Sequence, residues 1–229
     1  MPPLPPSARD PLIRGYMALS TPNVSDALDR LGVNGAPHGI LPLWPGAKTL
    51  VGRAVTMKLV PVDQGSESPV LGTLEAILAG QPGDILVIDH GGRTDVNSLG
   101  GVATFTAVRH GLIGSVIDGV TRDVDDMQAM GFAVYGKGII QQSIRNRCAF
   151  GGHSMQVQLA GVTVSPGDLI MADPNGVVVV PGAQAPEALK LAQEFADTEE
   201  RVKDAIARGV DPVEAHRQVN YDQMTRTDV

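Results

Sequence analysis

The residues best suited to chemistry in this 229-residue chain stand in two short stretches, LGG at 99–101 and DGVTRD at 118–123. Arg122 offers a planar fork of donors suited to a carboxylate or an oxyanion. Asp123 offers oxygen ligation to a hard divalent cation. Magnesium in particular is often held by only one or two carboxylates, with waters and substrate completing its octahedron. Gly100 and Gly101 stand where a helix is expected to begin, so free N–H groups and the helix dipole favour an anion there. Their lack of side chains lets a ligand approach the backbone. Each feature also has a plainer reading: a tight turn for the glycines, and an ion pair closing a loop for Arg122–Asp123. Asp125 and Asp126 fit the acidic first turn of the next helix, with a place near a metal open to Asp126.

The elements that must position these residues form the clearest pattern in the chain. DILVID (84–89) reads as a buried strand, HGGRTDVNSLGG (90–101) as a polar loop, and VATFTAVRH (102–110) as a helix capped by Gly111. IGSVIDG (113–119) is a second strand, VDDMQAM (124–130) a short helix ending at Gly131, and FAVYG (132–136) a third strand. This β-α-β-α-β order predicts a parallel sheet. Loops after successive strands then emerge on one edge, where ligands of α/β sheets bind. The LGG turn and the Arg122–Asp123 step should therefore face a common crevice.

Around this unit, 8–19 and 22–31 have helical spacing, with Thr21 as N-cap and Pro22 at the first helical position. Residues 35–46 read as a loop, 50–60 as a strand and 71–80 as a helix. Three or four short strands fill 155–181 and suggest an additional β-rich lobe, and 185–209 is a long C-terminal helix. The expected architecture is one α/β domain over 1–229, with 1–7 a flexible arm, extended or disordered.

Composition narrows the function. The formal charge of −7 argues against a nucleic-acid partner, which needs a basic face. No apolar run reaches membrane-spanning length and no signal peptide is evident, so a cytoplasmic location is expected. Cys148 is the single cysteine, and the histidines (38, 90, 110, 153 and 216) show no zinc-site spacing. His90 ends a strand beside the expected crevice, where either a catalytic or a structural role is open to it. Walker A, GxGxxG and GxSxG motifs are absent. Lys137, Arg145 and Arg147 flank the expected pocket and suit either a second carboxylate or solvent.

Over most of its length the chain resembles the RraA-like family, which includes the 4-hydroxy-4-methyl-2-oxoglutarate aldolases and the regulator of ribonuclease E activity. The resemblance runs through TPNVSDALDRLG, GILPLWPG, LVGRAVTMK, GDILVIDHGG, LGGVAT, GSVIDGVTRD and VSPGDLIMADPNGVVVVP. The family's enzyme motif is a glycine, twenty residues, Arg-Asp, two residues and an acid. Gly101, Arg122, Asp123 and Asp126 meet it.

The resemblance implies the swivelling β/β/α type of fold and a metal-dependent lyase of the class II pyruvate aldolase or oxaloacetate decarboxylase kind. Magnesium, manganese or another divalent cation would be held through Asp123 and waters. Arg122 would hold the keto or enolate oxygen of a 2-oxo acid, and backbone amides of Gly100, Gly101, Val102 and Ala103 its carboxylate. Cleavage would leave the electrons in a metal-bound pyruvate enolate. Family members are homotrimers or homohexamers with sites between protomers, and Glu199 or Glu200 of a neighbour's C-terminal helix is the candidate acid. One position departs: the aldolases carry an acidic residue where this chain has Gly101. The alternative from the same family is a non-catalytic regulator of ribonuclease activity that acts by protein–protein binding. That branch keeps the arginine but lacks the aspartate present here as Asp123.

Overall fold

The computed structural model of the chain describes residues 10–220 and 223–225; the expected arm at 1–7 lies outside them. The elements, in order, are α1 (Pro11–Met17), α2 (Thr21–Arg30), β1 (Leu41–Pro42), β2 (Leu50–Pro61), α3 (Pro69–Ala79) and β3 (Ile85–Asn97). Next come α4 (Gly101–His110), β4 (Gly114–Thr121), α5 (Val124–Ala129), β5 (Ala133–Gly136), β6 (Gly138–Ile139) and β7 (Cys148–His153). The chain continues through β8 (Val157–Leu159), β9 (Val162–Val164), β10 (Leu169–Asp173), β11 (Gly176–Val180), α6 (Ala185–Ala207) and α7 (Pro212–Gln218). The class is α/β, with the anticipated parallel unit and long C-terminal helix.

Strands β2, β3, β4 and β5 run parallel and adjacent, while β1, β7 and β10 join them antiparallel and β11 pairs antiparallel with β10. The two edges of this sheet are bridged by one stretch of chain: Val179 N on β11 donates to Gly35 O at 2.8 Å, and β1 pairs with β5. The sheet is thereby nearly closed, which leaves little open edge. The β-rich tail divides. Strands β10 and β11 extend the main sheet, and β8–β9 forms a separate hairpin.

The period-2 alternation of a strand sorts the apolar side chains into layers. Ile85 and Val87 join Leu50, Ala54, Val116, Ile170 and Val179 in one core. Their neighbours Leu86 and Ile88 face the other way and meet Ile77 of α3, Ala107 of α4 and Met127 of α5. Leu169, Met171, Val178 and Val180 pack against Tyr16 of α1, Leu28 of α2 and Ala188 of α6. Each fully buried side chain of this size contributes about 1.5–3 kcal/mol, so both faces of the central strands hold their register firmly.

Three local readings change. The stretch after Asp89 is not a loop: β3 runs on to Asn97 with two shifts of register against β4, and Gly91 and Gly92 take positive φ at the irregularity. Its glycines and polar residues hid strand pairing that is supplied by β4. The cap of α2 is Ser20 rather than Thr21. Ser20 accepts from Asn23 N and Asn23 reciprocates, which frees the Thr21 hydroxyl to donate to buried Asp173 at 2.7 Å. Strand β7 and helix α7 went unread, although Asp211–Pro212 carries a helix-start signal.

Two buried carboxylates lock the hairpin across the parallel strands. Asp89 and Asp118 are register partners; Asp89 accepts from Gln158 N and Asp118 from Ala160 N, each at 3.1 Å. Lys58 lies 3.2 Å from Asp89, and Lys137 lies 2.7 Å from Asp118.

His90 is buried behind this edge. Ser98 Oγ donates to Val120 O at 3.0 Å, so its lone pair receives Nδ1–H of His90 at 2.7 Å. Nε2 is left as an acceptor facing the Cys148 thiol at 3.3 Å. Burial, then the nearby Arg93 guanidinium, push the imidazole down from 6.5 to about 4. Between those two values the unfolded chain binds a proton at residue 90 that the folded chain refuses. This contribution to stability is therefore present above pH 6.5 and is lost as pH falls to 4. The wild type should lose about 3 kcal/mol more over that window than His90→Gln in equilibrium denaturation; identical pH profiles would contradict the assignment.

Candidate active site

The crevice forms where the carboxyl ends of β3 and β4 pass into α4 and α5. Leu99 O stitches the two crossings together. It accepts from Arg122 N at 3.3 Å, from Thr121 Oγ1 at 2.7 Å and from Asn97 Nδ2 at 3.2 Å. With the strands fixed in this register, the LGG turn and the Arg122–Asp123 step stand face to face.

Asp123 adopts an unusual conformation for a helix cap. Its φ of 58° and ψ of 40° are left-handed, a region that costs a non-glycine residue about 1–2 kcal/mol. An aspartate before a helix normally turns its carboxylate onto that helix's own N–H groups. Here the side chain makes no such bond with α5. Its Oδ2 instead accepts from Gly101 N at 2.8 Å, across the crevice, and lies 3.4 Å from Arg122 Nε. The carboxylate thus caps α4, where the dipole favours a negative charge, and steadies the guanidinium from the same atom.

This leaves donors open. Among the described residues the terminal nitrogens of Arg122 have no hydrogen-bond partner. Nor have the N–H groups of Val102 and Ala103 in the first turn of α4, a position that leaves backbone donors orphaned. Gly100, Gly101, Val102, Ala103, Arg122 and Asp123 all line one cavity of about 100 Å³, roughly the size for the head of a small acid. Six of the residues expected at the site are therefore brought together. The two glycines keep this wall of the crevice bare. A Cβ on Gly100 would sit 3.0 Å from Asp123 Oδ2 and 3.3 Å from Arg122 Nε. On Gly101 it would sit 2.9 Å from Asp126 Oδ2.

Asp126 thus places its carboxylate against the bare Gly101. Together Asp123 and Asp126 suit a hard cation that keeps most of its waters, such as magnesium. Among the described residues no group of three His, Cys, Asp or Glu side chains converges, so a closed all-protein site of the zinc type does not fit.

Other expected residues lie elsewhere. His90 does not line the cavity and is held by Ser98 and Cys148. Glu199 accepts from Asn23 Nδ2 at 3.1 Å, and Glu200 pairs with Lys203 at 2.7 Å. Both belong to α6, on the opposite layer from α4 and α5, so within one chain neither reaches the crevice. The cavity wall also includes Pro69, Val70 and Thr73 at the start of α3, which the sequence reading missed. The Ser68–Pro69 pair was the available signal, since Ser68 caps α3 with Pro69 at its first position. Ser143, Ile144 and Arg145 complete the wall from the segment expected to flank the pocket.

Comparison with known proteins places this crevice in a family. A solved structure from Pseudomonas syringae pv. tomato superposes with a TM-score of 0.82 at 32% identity, covering 90% of this chain and 93% of that one. RraAS2 of Streptomyces coelicolor, described as an unusual member of the RNase ES inhibitor RraA protein family, superposes at 0.74 and 26% identity. That match covers 87% of this chain and 98% of RraAS2. By sequence, the chain is 29% identical over 204 residues to a Halalkalibacterium halodurans protein named "Putative 4-hydroxy-4-methyl-2-oxoglutarate aldolase", covering 89% of this chain and 92% of the relative. It is 32% identical over 212 residues to DlpA of Legionella pneumophila, covering 93% of this chain. The chain spans only 34% of DlpA's length. A family model described as RraA-like, Aldolase/RraA, matches residues 21–179, a span that holds every residue of the crevice. On that match, the chain belongs to the RraA-like family.

Proposed function

We propose that the chain is a divalent-metal-dependent lyase that cleaves a C–C bond of a 2-oxo acid, as a 4-hydroxy-2-oxo acid aldolase, an oxaloacetate decarboxylase or both. The observation that carries this reading is the Asp123 carboxylate. It is held in a left-handed backbone and turned into the crevice, with Arg122 and the α4 amides around it.

The residues divide the work by what they can offer. The N–H groups of Val102 and Ala103 bind the substrate carboxylate at the positive end of α4. Arg122 presents its terminal nitrogens to the keto oxygen and neutralises the charge that grows there as the C–C bond breaks. Because Asp123 already orients the guanidinium, little reorganisation is required at that moment. Asp123, with Asp126 beside it, would hold magnesium or manganese, which supplies Lewis-acid polarisation of the 2-oxo acid when bound. Loss of carbon dioxide from oxaloacetate needs no base. Retro-aldol cleavage needs one for the 4-hydroxyl, and Gly101 provides none.

Val102 lines the crevice and is exposed, as are Phe105 further along α4 and Leu71 and Leu78 on α3. These exposed apolar side chains on α3 and α4 support a homotrimer or homohexamer in which a second copy covers this face and brings Glu199 or Glu200 toward the crevice. The regulator reading draws on the likeness to RraAS2; against it stands Asp123, which binding a ribonuclease does not require.

Two outcomes follow from the assignment. Pyruvate release from oxaloacetate should depend on magnesium, should fall about a hundredfold or more in Arg122→Ala, and should lose its magnesium dependence in Asp123→Ala. Full activity in both variants would remove these residues from the site. The wild type should also decarboxylate oxaloacetate faster than it cleaves 4-hydroxy-4-methyl-2-oxoglutarate. Restoring an acid with Gly101→Asp should narrow that ratio, and a wild-type preference for the aldol substrate would contradict the role given to the bare glycine.

A further inference from the structure

A second cavity lies at the opposite end of the parallel strands from the crevice. It measures about 430 Å³, within the roughly 300–1,000 Å³ typical of small-molecule sites. Leu50 opens β2, Ile113 immediately precedes β4 and Phe132 immediately precedes β5, and all three line it. Leu50 and Phe132 are buried, as is the neighbouring lining residue Leu112, so the floor of the cavity is apolar.

Helix α1 makes one wall. Ile13, Arg14 and Met17 share a helical face by their spacing, and all three line the cavity. The rest of the helix is fixed on α6. Tyr16 is buried and its hydroxyl donates to Ala185 O at 2.8 Å, while a Cβ on Gly15 would run into Leu189. Lys48 reaches the cavity from the turn that enters β2. Its carbonyl accepts from the Tyr135 hydroxyl at 3.1 Å, and Leu50, two residues on, pairs with Ala172. The backbone that carries each cation is therefore held in place.

The charge of this cavity runs against that of the chain. Arg14 and Lys48 are exposed, and among the described residues neither side chain has a hydrogen bond or an ion pair. No aspartate or glutamate among the described residues lines the cavity, although acids outnumber Lys and Arg by 25 to 18 in the sequence. Asp10, the acid that caps α1, is engaged elsewhere: it accepts from Leu12 N at 2.9 Å and lies 3.6 Å from Arg53. Two uncommitted cations beside an apolar floor suit a molecule with one anionic head and an apolar body. The cations would orient the head by charge-assisted hydrogen bonds, and the floor would take the body out of water.

We infer that this cavity binds a small amphipathic anion, an apolar chain ending in a carboxylate or a phosphate, with the head at Arg14 and Lys48. The site is separate from the crevice and stands independently of the lyase reading.

The test titrates the full chain with octanoate, octyl phosphate, 1-octanol and acetate by calorimetry. At least one of the two octyl anions should bind at one molecule per chain, about tenfold tighter or more than 1-octanol. The tighter of the two identifies the head group. Acetate, which offers a charge without the apolar body, should bind about tenfold more weakly than octanoate or worse. The double variant Arg14→Gln/Lys48→Gln should lower the octyl anions to the affinity of 1-octanol, with 1-octanol itself unchanged, which reports an intact cavity. Arg122→Ala should leave the octyl anions unaffected, because that residue lies at the other end of the strands. The inference is overturned if neither octyl anion binds saturably, or if 1-octanol or acetate binds as tightly as they do. It is equally overturned if the double variant keeps the preference or loses 1-octanol as well, or if Arg122→Ala abolishes binding of the anions.

Discussion

One carboxylate oxygen joins the two halves of the crevice. Asp123 Oδ2 accepts the first N–H of α4 and lies against the Arg122 guanidinium, while its backbone opens α5. Moving Asp123 would uncap α4, release Arg122 and disturb the turn into α5 together. The left-handed backbone is what makes the arrangement possible, since it aims the side chain away from its own helix. Strain at such a residue persists only where the surroundings over-determine it. Here they do: Leu99 O collects three donors from both crossings, and Gly100 and Gly101 leave room that any Cβ would take.

That arrangement is exact only because the sheet beneath it cannot slip. The central strands are buried on both faces, so a shift of one residue would turn Ile85 and Val87 out of one core and Leu86 and Ile88 out of the other. The Asp89–Asp118 pair adds a polar lock at the same edge, and its lysines account for charges that would otherwise be buried alone. Rigid strands carry the crevice: Arg122 and Asp123 stand one and two positions beyond β4, and Gly100 and Gly101 three and four beyond β3.

Much of this was legible in the sequence because it is local or topological. The β-α-β-α-β order was enough to set LGG opposite Arg122–Asp123, and the helix ends at Gly111 and Gly131 followed from the need for positive φ. Contributions from distant segments were not legible. Nothing around Pro69–Val70 says that α3 will wall the cavity, because that depends on α3 packing over β2 and β7. The irregular half of β3 reads as loop, since its strand character comes from pairing with β4. His90 looked available at a strand end; only the tertiary structure shows Ser98 and Cys148 taking both ring nitrogens. The places of Lys137, paired with Asp118, and Arg145, on the cavity wall, also separated only in the tertiary structure.

If Asp123 anchors a divalent cation beside Arg122, removing its charge must remove the ion. The most direct measurement is manganese binding by electron paramagnetic resonance, with oxalate as the 2-oxo acid mimic, in the wild type and in Asp123→Asn. The asparagine keeps an acceptor for Gly101 N while removing the charge. One bound ion per site, tightened by oxalate, is expected in the wild type, with loss of that site in the variant. Equal manganese affinity in the two proteins would contradict it.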